Sequence, residues 1–295
     1  MFRRRGLRDL RGRHVFLTGA ASGIGRATAI AAAAEGATVH LTDIDDEALQ
    51  RTAADIRAAG GAVGIAEAAD IRDHDQVAAL CARLTDAHGA MDVVMNIAGI
   101  AEWGTVQATP HESWRRVIDV NLMGPIHVLE ALVPPMIDAG RGGQIVNVSS
   151  AAGLIALPWH GAYSASKFGL RGLSEVLRYD LAPHRIGVTL VCPGAVDTGL
   201  TETVRLAGVE TTGERFTKAR EHFRRRAVSP EQAARATLRG VRRGRPLVYT
   251  SRDIQLIYVL KRVFPPGYRL AMTVVHRVAN RILPGAQRAR KERAA

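Results

Sequence analysis

The chain has 295 residues, 47% of them hydrophobic and 23% charged, which excludes disordered and collagen-like polymers and leaves ample apolar surface for a core. The net charge of +12 divides into +5 over residues 1–13, −2 over 14–244 and +9 over 245–295, so a nucleic-acid surface spread over the body is excluded. Two cysteines, Cys81 and Cys192, cannot build a disulfide framework and fit a reducing compartment.

In chain order, β-branched runs predict strands at His14–Thr18, Thr38–Thr42, Val63–Ala66, Asp92–Asn96, Gln144–Ser149, Gly187–Cys192 and Leu247–Thr250. Ala-, Leu- and Arg-rich segments between them predict helices over about 24–35, 46–59, 74–88, 112–138, 162–182 and 230–242. Strands separated by such helices pair in parallel through right-handed crossovers. The expected fold is α/β, a doubly wound parallel sheet of Rossmann type with helices on both faces and a C-terminal helical extension. Residues 1–13 read as a basic arm, 14–250 as one α/β domain, and 251–295 as a basic amphipathic helical tail. The start lacks an apolar signal core and no run approaches the roughly 20 apolar residues of a membrane span, so a cytoplasmic protein is expected.

The first strand ends in Thr18-Gly19-Ala20-Ala21-Ser22-Gly23-Ile24-Gly25 and a helix follows at once. Glycines in a strand-to-helix turn let backbone N–H groups and the helix dipole approach a pyrophosphate. Asp43 closes the second strand, where a carboxylate either accepts the adenosine ribose hydroxyls, favouring NAD over NADP, or caps the next helix, a task Asp45 and Asp46 can also perform. Asp70 and Ile71 follow the third strand, placed to meet an adenine or, for Asp70, to cap the helix from 74. Ten histidines without HxH or HExxH spacing give no reason to expect a metal site.

Tyr163 and Lys167 are four residues apart in a predicted helix and so share a face. A neighbouring ammonium is expected to lower the phenol pKa and make it a usable general acid/base. Thirteen residues before Tyr163, Ser149-Ser150 end a strand and can point a hydroxyl into the same cleft.

With these elements in order, the chain resembles the short-chain dehydrogenase/reductase family over about residues 10–250. TGAASGIG is similar to the family's TGxxxGxG turn, with Gly19, Ser22, Gly23, Ile24 and Gly25 at the cofactor. NIAG, with Asn96, Ala98 and Gly99, is similar to its NNAG element, Ile97 replacing the second Asn. Asn121, Ser150, Tyr163 and Lys167 resemble its catalytic group, the 13-residue distance favouring Ser150 over Ser149. Pro193, Gly194, Val196 and Thr198 resemble the PGxxxT segment that meets the nicotinamide carboxamide. The resemblance implies an oxidoreductase in which Tyr163 moves the alcohol proton, Ser150 holds the substrate oxygen, Lys167 supports the phenolate and the nicotinamide ribose, and Asn121 holds a relay water. It also implies a homo-oligomer, dimer or tetramer.

The apolar segments 151–160 and 199–226 bracket the cleft, and Trp103 and Trp159 stand near its mouth, so a hydrophobic secondary alcohol or ketone is expected. In the tail, Ile254–Leu260 is an apolar run, Pro265-Pro266 breaks it, and 268–283 returns as a helical pattern with Leu270, Val274, Val275, Val278 and Ile282 on one side and Arg269, Arg277 and Arg281 toward the other side or its margins. Such a helix lies on a membrane surface, packs on a partner subunit or covers the substrate mouth. Two other classes stand beside the enzyme: a silent NAD(H)-binding regulatory protein, and a sugar-nucleotide epimerase or dehydratase, whose usual GxxGxxG turn is absent.

Overall fold

Val15, Phe16, Leu17 and Thr18 are all buried, so strand β1 (His14–Thr18) is covered on both faces. Strands of that kind belong in the middle of a parallel sheet. The chain continues through α1 (Gly23–Ala34), β2 (Thr38–Thr42), α2 (Asp46–Ala58), β3 (Ala62–Ala66) and α3 (His74–His88), then returns to the far side of β1 as β4 (Val93–Asn96). It adds the short β5 (Glu102–Trp103), α4 (His111–Ile118), α5 (Gly124–Asp138), β6 (Gly143–Val148), α6 (Gly161–Asp180), β7 (Ile186–Cys192), the short β8 (Arg205–Leu206), α7 (Pro230–Arg242) and β9 (Leu247–Tyr249). Two helices, α8 (Arg252–Val263) and α9 (Pro265–Ile282), follow. This computed structural model describes residues 7, 9–198, 205–206, 221 and 227–282. Most of the apolar segment 199–226 therefore lies outside the described residues.

Seven strands form one parallel sheet in the order β3-β2-β1-β4-β6-β7-β9. The winding reverses between β1 and β4, opening a crevice beyond their carboxyl ends. One face packs Val15, Leu17, Val39 and Leu41 against α1, α2 and α7. The other packs Phe16 and Val94 against Val77, Leu80 and Leu84 of α3 and Val128, Leu129 and Leu132 of α5. Leu10, in the arm expected to be separate, is fully buried in the first core, and Arg13 pairs with Asp92 at 2.9 Å.

Three features of the structure refine or go beyond the sequence expectation. The helix expected over 112–138 is continuous but widens into a π-helical turn at Asp119–Met123, and its apolar side chains Val128, Leu132 and Met136 lie in the core. The sequence periodicity could not report that turn, because one extra residue shifts the helical phase only locally. Beyond residue 250 there are two helices, and Pro265-Pro266 opens the second, since proline lacks only an N–H that the first helical turn leaves unpaired. Finally, β5 and β8 pair outside the main sheet, Glu102 beside Arg205 and Trp103 beside Leu206.

Candidate active site

The turn after β1 is built around missing side chains. Gly19 has φ +72° and a Cβ there would stand 2.7 Å from Ala98 Cα, while one on Gly25 would stand 1.8 Å from the Gly19 carbonyl oxygen. Gly23 has φ +52°, and Thr198 Cγ2 lies over it, 3.1 Å from where its Cβ would be. Helix α1 thus starts hard against the turn. Ser22 occupies its N-cap position without a side-chain capping bond, and no acidic residue stands in the first turn, so the amides around Ile24 remain available to an anion. Thr18 Oγ1 accepts from the Ile97 and Ala98 amides, each at 3.1 Å, and ties this turn to the loop after β4.

Asp43 accepts from the Ala21 amide at 3.0 Å and from the Asp45 amide at 3.2 Å, so its carboxylate stands beside the glycine turn. The cap of α2 is Asp45, which accepts from Ala48. Asp70 is not the cap of α3 either; that role falls to Asp73, and Asp70 pairs with Arg72, whose hydrogen bonds hold its carboxyl below the usual carboxylate range. Ile71 is buried against Gly124. The Asn96 side chain is turned into the sheet, where it donates to Asn147 at 2.9 Å. That bond and the following one from Asn147 to Ser174 form a buried polar row the sequence did not reveal, because each partner comes from a different element.

Beyond β6 the two serines separate. Ser149 is buried and donates to the Lys167 carbonyl at 2.9 Å, whereas the Ser150 hydroxyl meets the Tyr163 hydroxyl and accepts from the Ala152 amide at 3.1 Å. Lys167 Nζ donates to the Val148 carbonyl at 3.0 Å and stands 5.8 Å from the centre of the Tyr163 ring. It also lies 3.2 Å from where a Cβ on Gly99 would be, with Asn121 Oδ1 at 3.1 Å from the same point. Asn121, fully buried in the π-helical turn, clamps both polar groups of Ile100 at 2.9 Å and donates to Ser166.

Burial dominates the electrostatics of this group. It raises the Tyr163 pKa above its ordinary value, the bond from Ser150 only partly opposing it, and it lowers Lys167 to about 8. The expected lowering of the phenol by the ammonium is therefore corrected: desolvation of the phenolate is the largest influence on Tyr163, and the bond from Ser150 is what opposes it. Farther along, the Pro193 carbonyl accepts from Ala151, the Gly194 amide donates to Thr250, and Val196 is bridged to Val228. The segment carrying Thr198 is thereby fixed at the end of β7.

All three tryptophans gather near Tyr163. Trp103 stacks on His160 with centroids 4.5 Å apart, Trp114 packs against Gly161, and Trp159 adopts φ +66°, a conformation that strains a bulky side chain. His160 Nδ1 lies 2.7 Å from the Pro158 carbonyl and so carries the proton; burial lowers its pKa and keeps it neutral. The sequence pointed to Trp103 and Trp159 but missed His160 and Trp114.

On the opposite end of the sheet His14, His40 and His88 bring one nitrogen each within 4.8 Å of the others. Local spacing could not predict this group, since β1, β2 and α3 contribute one residue each. His40 Nδ1 accepts from the Ile65 amide at 3.2 Å, which leaves the proton on Nε2, facing His14 Nδ1 at 3.0 Å. The His14 and His40 rings stack with centroids 5.3 Å apart, and His88 tilts against both.

A glycine turn at the sheet's switch point, with a Ser–Tyr–Lys group across the crevice, makes this a doubly wound fold with a candidate dinucleotide site. The family model for short chain dehydrogenases matches residues 13–207, and the chain belongs to that family. It is 36% identical over 259 residues to the probable oxidoreductase EphD of Mycobacterium tuberculosis, covering 86% of this chain and 44% of EphD, so it spans less than half of that relative. A short chain dehydrogenase/reductase from Burkholderia phymatum in complex with NAD superposes with a TM-score of 0.77 at 30% identity, covering 86% of this chain and 94% of that one. A metagenomic short-chain oxidoreductase in complex with NADP gives a TM-score of 0.64 at 34% identity, covering 79% and 92%.

Proposed function

We propose that this oxidoreductase prefers NAD and moves a hydride between its nicotinamide and a hydrophobic secondary alcohol or ketone. The observation that carries the reading is the Ser150–Tyr163 hydroxyl pair beside the buried Lys167 ammonium. A dinucleotide fits the residues present: the glycines leave a cradle that a Cβ would fill, and the uncapped start of α1 faces it. Gly19, Ser22, Gly23, Ile24 and Gly25 would hold the pyrophosphate, and Asp43 the adenosine ribose. Asp70, Ile71, Ala98 and Gly99 would border the adenosine half, Asn96 supporting that loop from within the sheet. Pro193, Gly194, Val196 and Thr198 would border the nicotinamide.

When bound, the nicotinamide supplies the hydride acceptor or donor. Tyr163 takes the proton from an alcohol or gives one to a carbonyl, and Ser150 hydrogen-bonds the oxygen on which charge changes. Lys167 stabilises the phenolate, while Asn121 fixes the Ile100 backbone beside it and holds the relay water. The aromatic mouth of Trp103, Trp114 and Trp159 supports an apolar substrate. Exposed Val176 and Tyr179 on α6 support assembly as a dimer or tetramer. Both cysteines are unpaired and buried, which fits a reducing cytoplasmic setting.

The test is a nicotinamide-absorbance screen over hydrophobic secondary alcohols and ketones, with NAD and NADP compared. Turnover with NAD favoured, and that preference reduced by Asp43→Asn, is expected. Equal or better turnover with NADP would overturn the cofactor assignment. Tight NADH binding without turnover across the panel would favour the regulatory alternative.

A further inference from the structure

Helix α8 has two apolar faces. Ile254, Ile257 and Tyr258 turn inward, and Ile254 and Tyr258 pack with Leu154, Ile155 and Cys192 beside the active-site loop. Leu256, Val259, Leu260 and Val263 follow the i, i+3, i+4, i+7 spacing on the opposite side and are exposed by 70%, 47%, 36% and 78%. On α9 the exposed set continues with Leu270, Val274, Val275 and Val278. Exposed apolar side chains concentrated on one helical pair mark a contact surface.

The helical pair is anchored, so the outward stripe does not reflect a poorly docked segment. Arg171, two turns beyond Tyr163 on α6, donates to the Tyr258 hydroxyl at 2.8 Å, Lys261 donates to the Leu154 carbonyl at 2.8 Å, and the Tyr268 hydroxyl bonds the Ala156 backbone. These bonds grip the loop that begins just after Ser150.

Charge identifies what the stripe meets. Between residues 252 and 282 Asp253 is the only carboxylate, against Arg252, Lys261, Arg262, Arg269, Arg277 and Arg281. A cleft between α7 and α8, lined by Arg239, Arg243, Arg245 and Arg252, extends the positive surface along the flank of the same helix. A second copy docking by two-fold symmetry would set these cations against themselves with one carboxylate per chain to answer them. An anionic bilayer supplies the missing charge and takes the apolar stripe into its headgroup boundary. Helix α8 is 12 residues long and α9 carries Arg269, Arg277 and Arg281, so neither has the uninterrupted apolar run of a crossing segment.

We propose that the outer face of α8 and α9 lies on anionic phospholipid bilayers and holds the substrate end of the enzyme at the lipid surface. The inference is independent of which substrate is turned over. Full-length protein is floated with phosphatidylcholine vesicles, with and without phosphatidylglycerol, at low and high salt. It should float with the anionic vesicles at low salt, fail to float with neutral ones, and lose binding as salt rises. The double variants Leu256→Gln with Val263→Gln, and Arg262→Gln with Arg277→Gln, should keep NADH binding and thermal unfolding while losing flotation. Each neutralised arginine should weaken partitioning by about fivefold. Failure of the full chain to float with anionic vesicles at low salt overturns the proposal, as does equal flotation of all variants. If the glutamines at 256 and 263 dissociate an oligomer in sedimentation and leave flotation unchanged, the face belongs to a second copy and the proposal fails.

Discussion

The Lys167 ammonium donates to the main-chain carbonyl of Val148 at 3.0 Å, which fixes helix α6 to the end of the strand that presents Ser150. The same burial that makes this bond strong lowers the lysine to about 8 and raises Tyr163. Carbonyl reduction needs the protonated phenol, which burial favours, together with the charged lysine, which is lost as pH rises through about 8. The kcat/KM for reduction should therefore be level from pH 6 to 7 and decline above about 8. A profile flat to pH 10 would show that Lys167 keeps its proton in the working enzyme.

Replacing Tyr163 by Phe keeps the ring and removes the hydroxyl to which the proposed mechanism assigns proton transfer. Turnover should fall by about 10²–10⁴. Stability should change little, since one neutral hydroxyl pair contributes about 0.5–1.5 kcal/mol. Thermal unfolding and NADH titration separate the two effects, and a folded variant with undiminished turnover would remove Tyr163 from the proton-transfer role.

The glycine turn, Asp43, Ser150, Tyr163 and Lys167 were legible because each sits at a strand end or at a four-residue helical spacing that sequence alone displays. The seven sheet strands were legible for the same reason, to within about a residue at their ends, because they are bounded by turn residues. The rest depended on contacts between distant segments. Nothing local says that Ser149 bonds the backbone of Lys167, that Asn96 faces Asn147, or that three histidines from β1, β2 and α3 meet. The phenol's raised pKa was missed because spacing reports a neighbouring charge and is silent on solvent exclusion.

Gly25→Ala should break the cofactor turn. The new methyl would stand 1.8 Å from the Gly19 carbonyl, and Gly19 is itself backed by the Ala98 backbone, so neither neighbour can yield as a side chain could. Overpacking of this kind costs about 1–3 kcal/mol, and shifting the start of α1 should weaken NADH binding by at least about tenfold. Gly172→Ala is the control, a helical position with nothing within 4 Å, where the substitution should raise stability by up to about 1 kcal/mol. Equal NADH affinity in both variants would mean that the turn tolerates the methyl.

The histidine stack should make folding sensitive to acid. His40 is fully buried; His14 from β1 and His88 from the end of α3 pack against it, with ring centroids 5.3 and 4.5 Å away, and the Ile65 amide of β3 donates to its Nδ1. A second proton on His40 would point an N–H at that amide and add charge beside two imidazoles, and its pKa is lowered from 6.5 to about 3, chiefly by burial. The folded value lies below the unfolded one, so the unfolded chain binds the proton first. The contribution is present above about pH 6.5 and is lost as pH falls toward 3. Between pH 7 and pH 4 the loss should be about 3 kcal/mol. Asn in place of His40 keeps an oxygen to accept from Ile65 and cannot be protonated in this range. Urea unfolding of both proteins at pH 7 and pH 4 measures the difference: the variant, although less stable at pH 7, should lose about 3 kcal/mol less than the wild type on acidification. Equal losses would place the acid sensitivity elsewhere in the molecule.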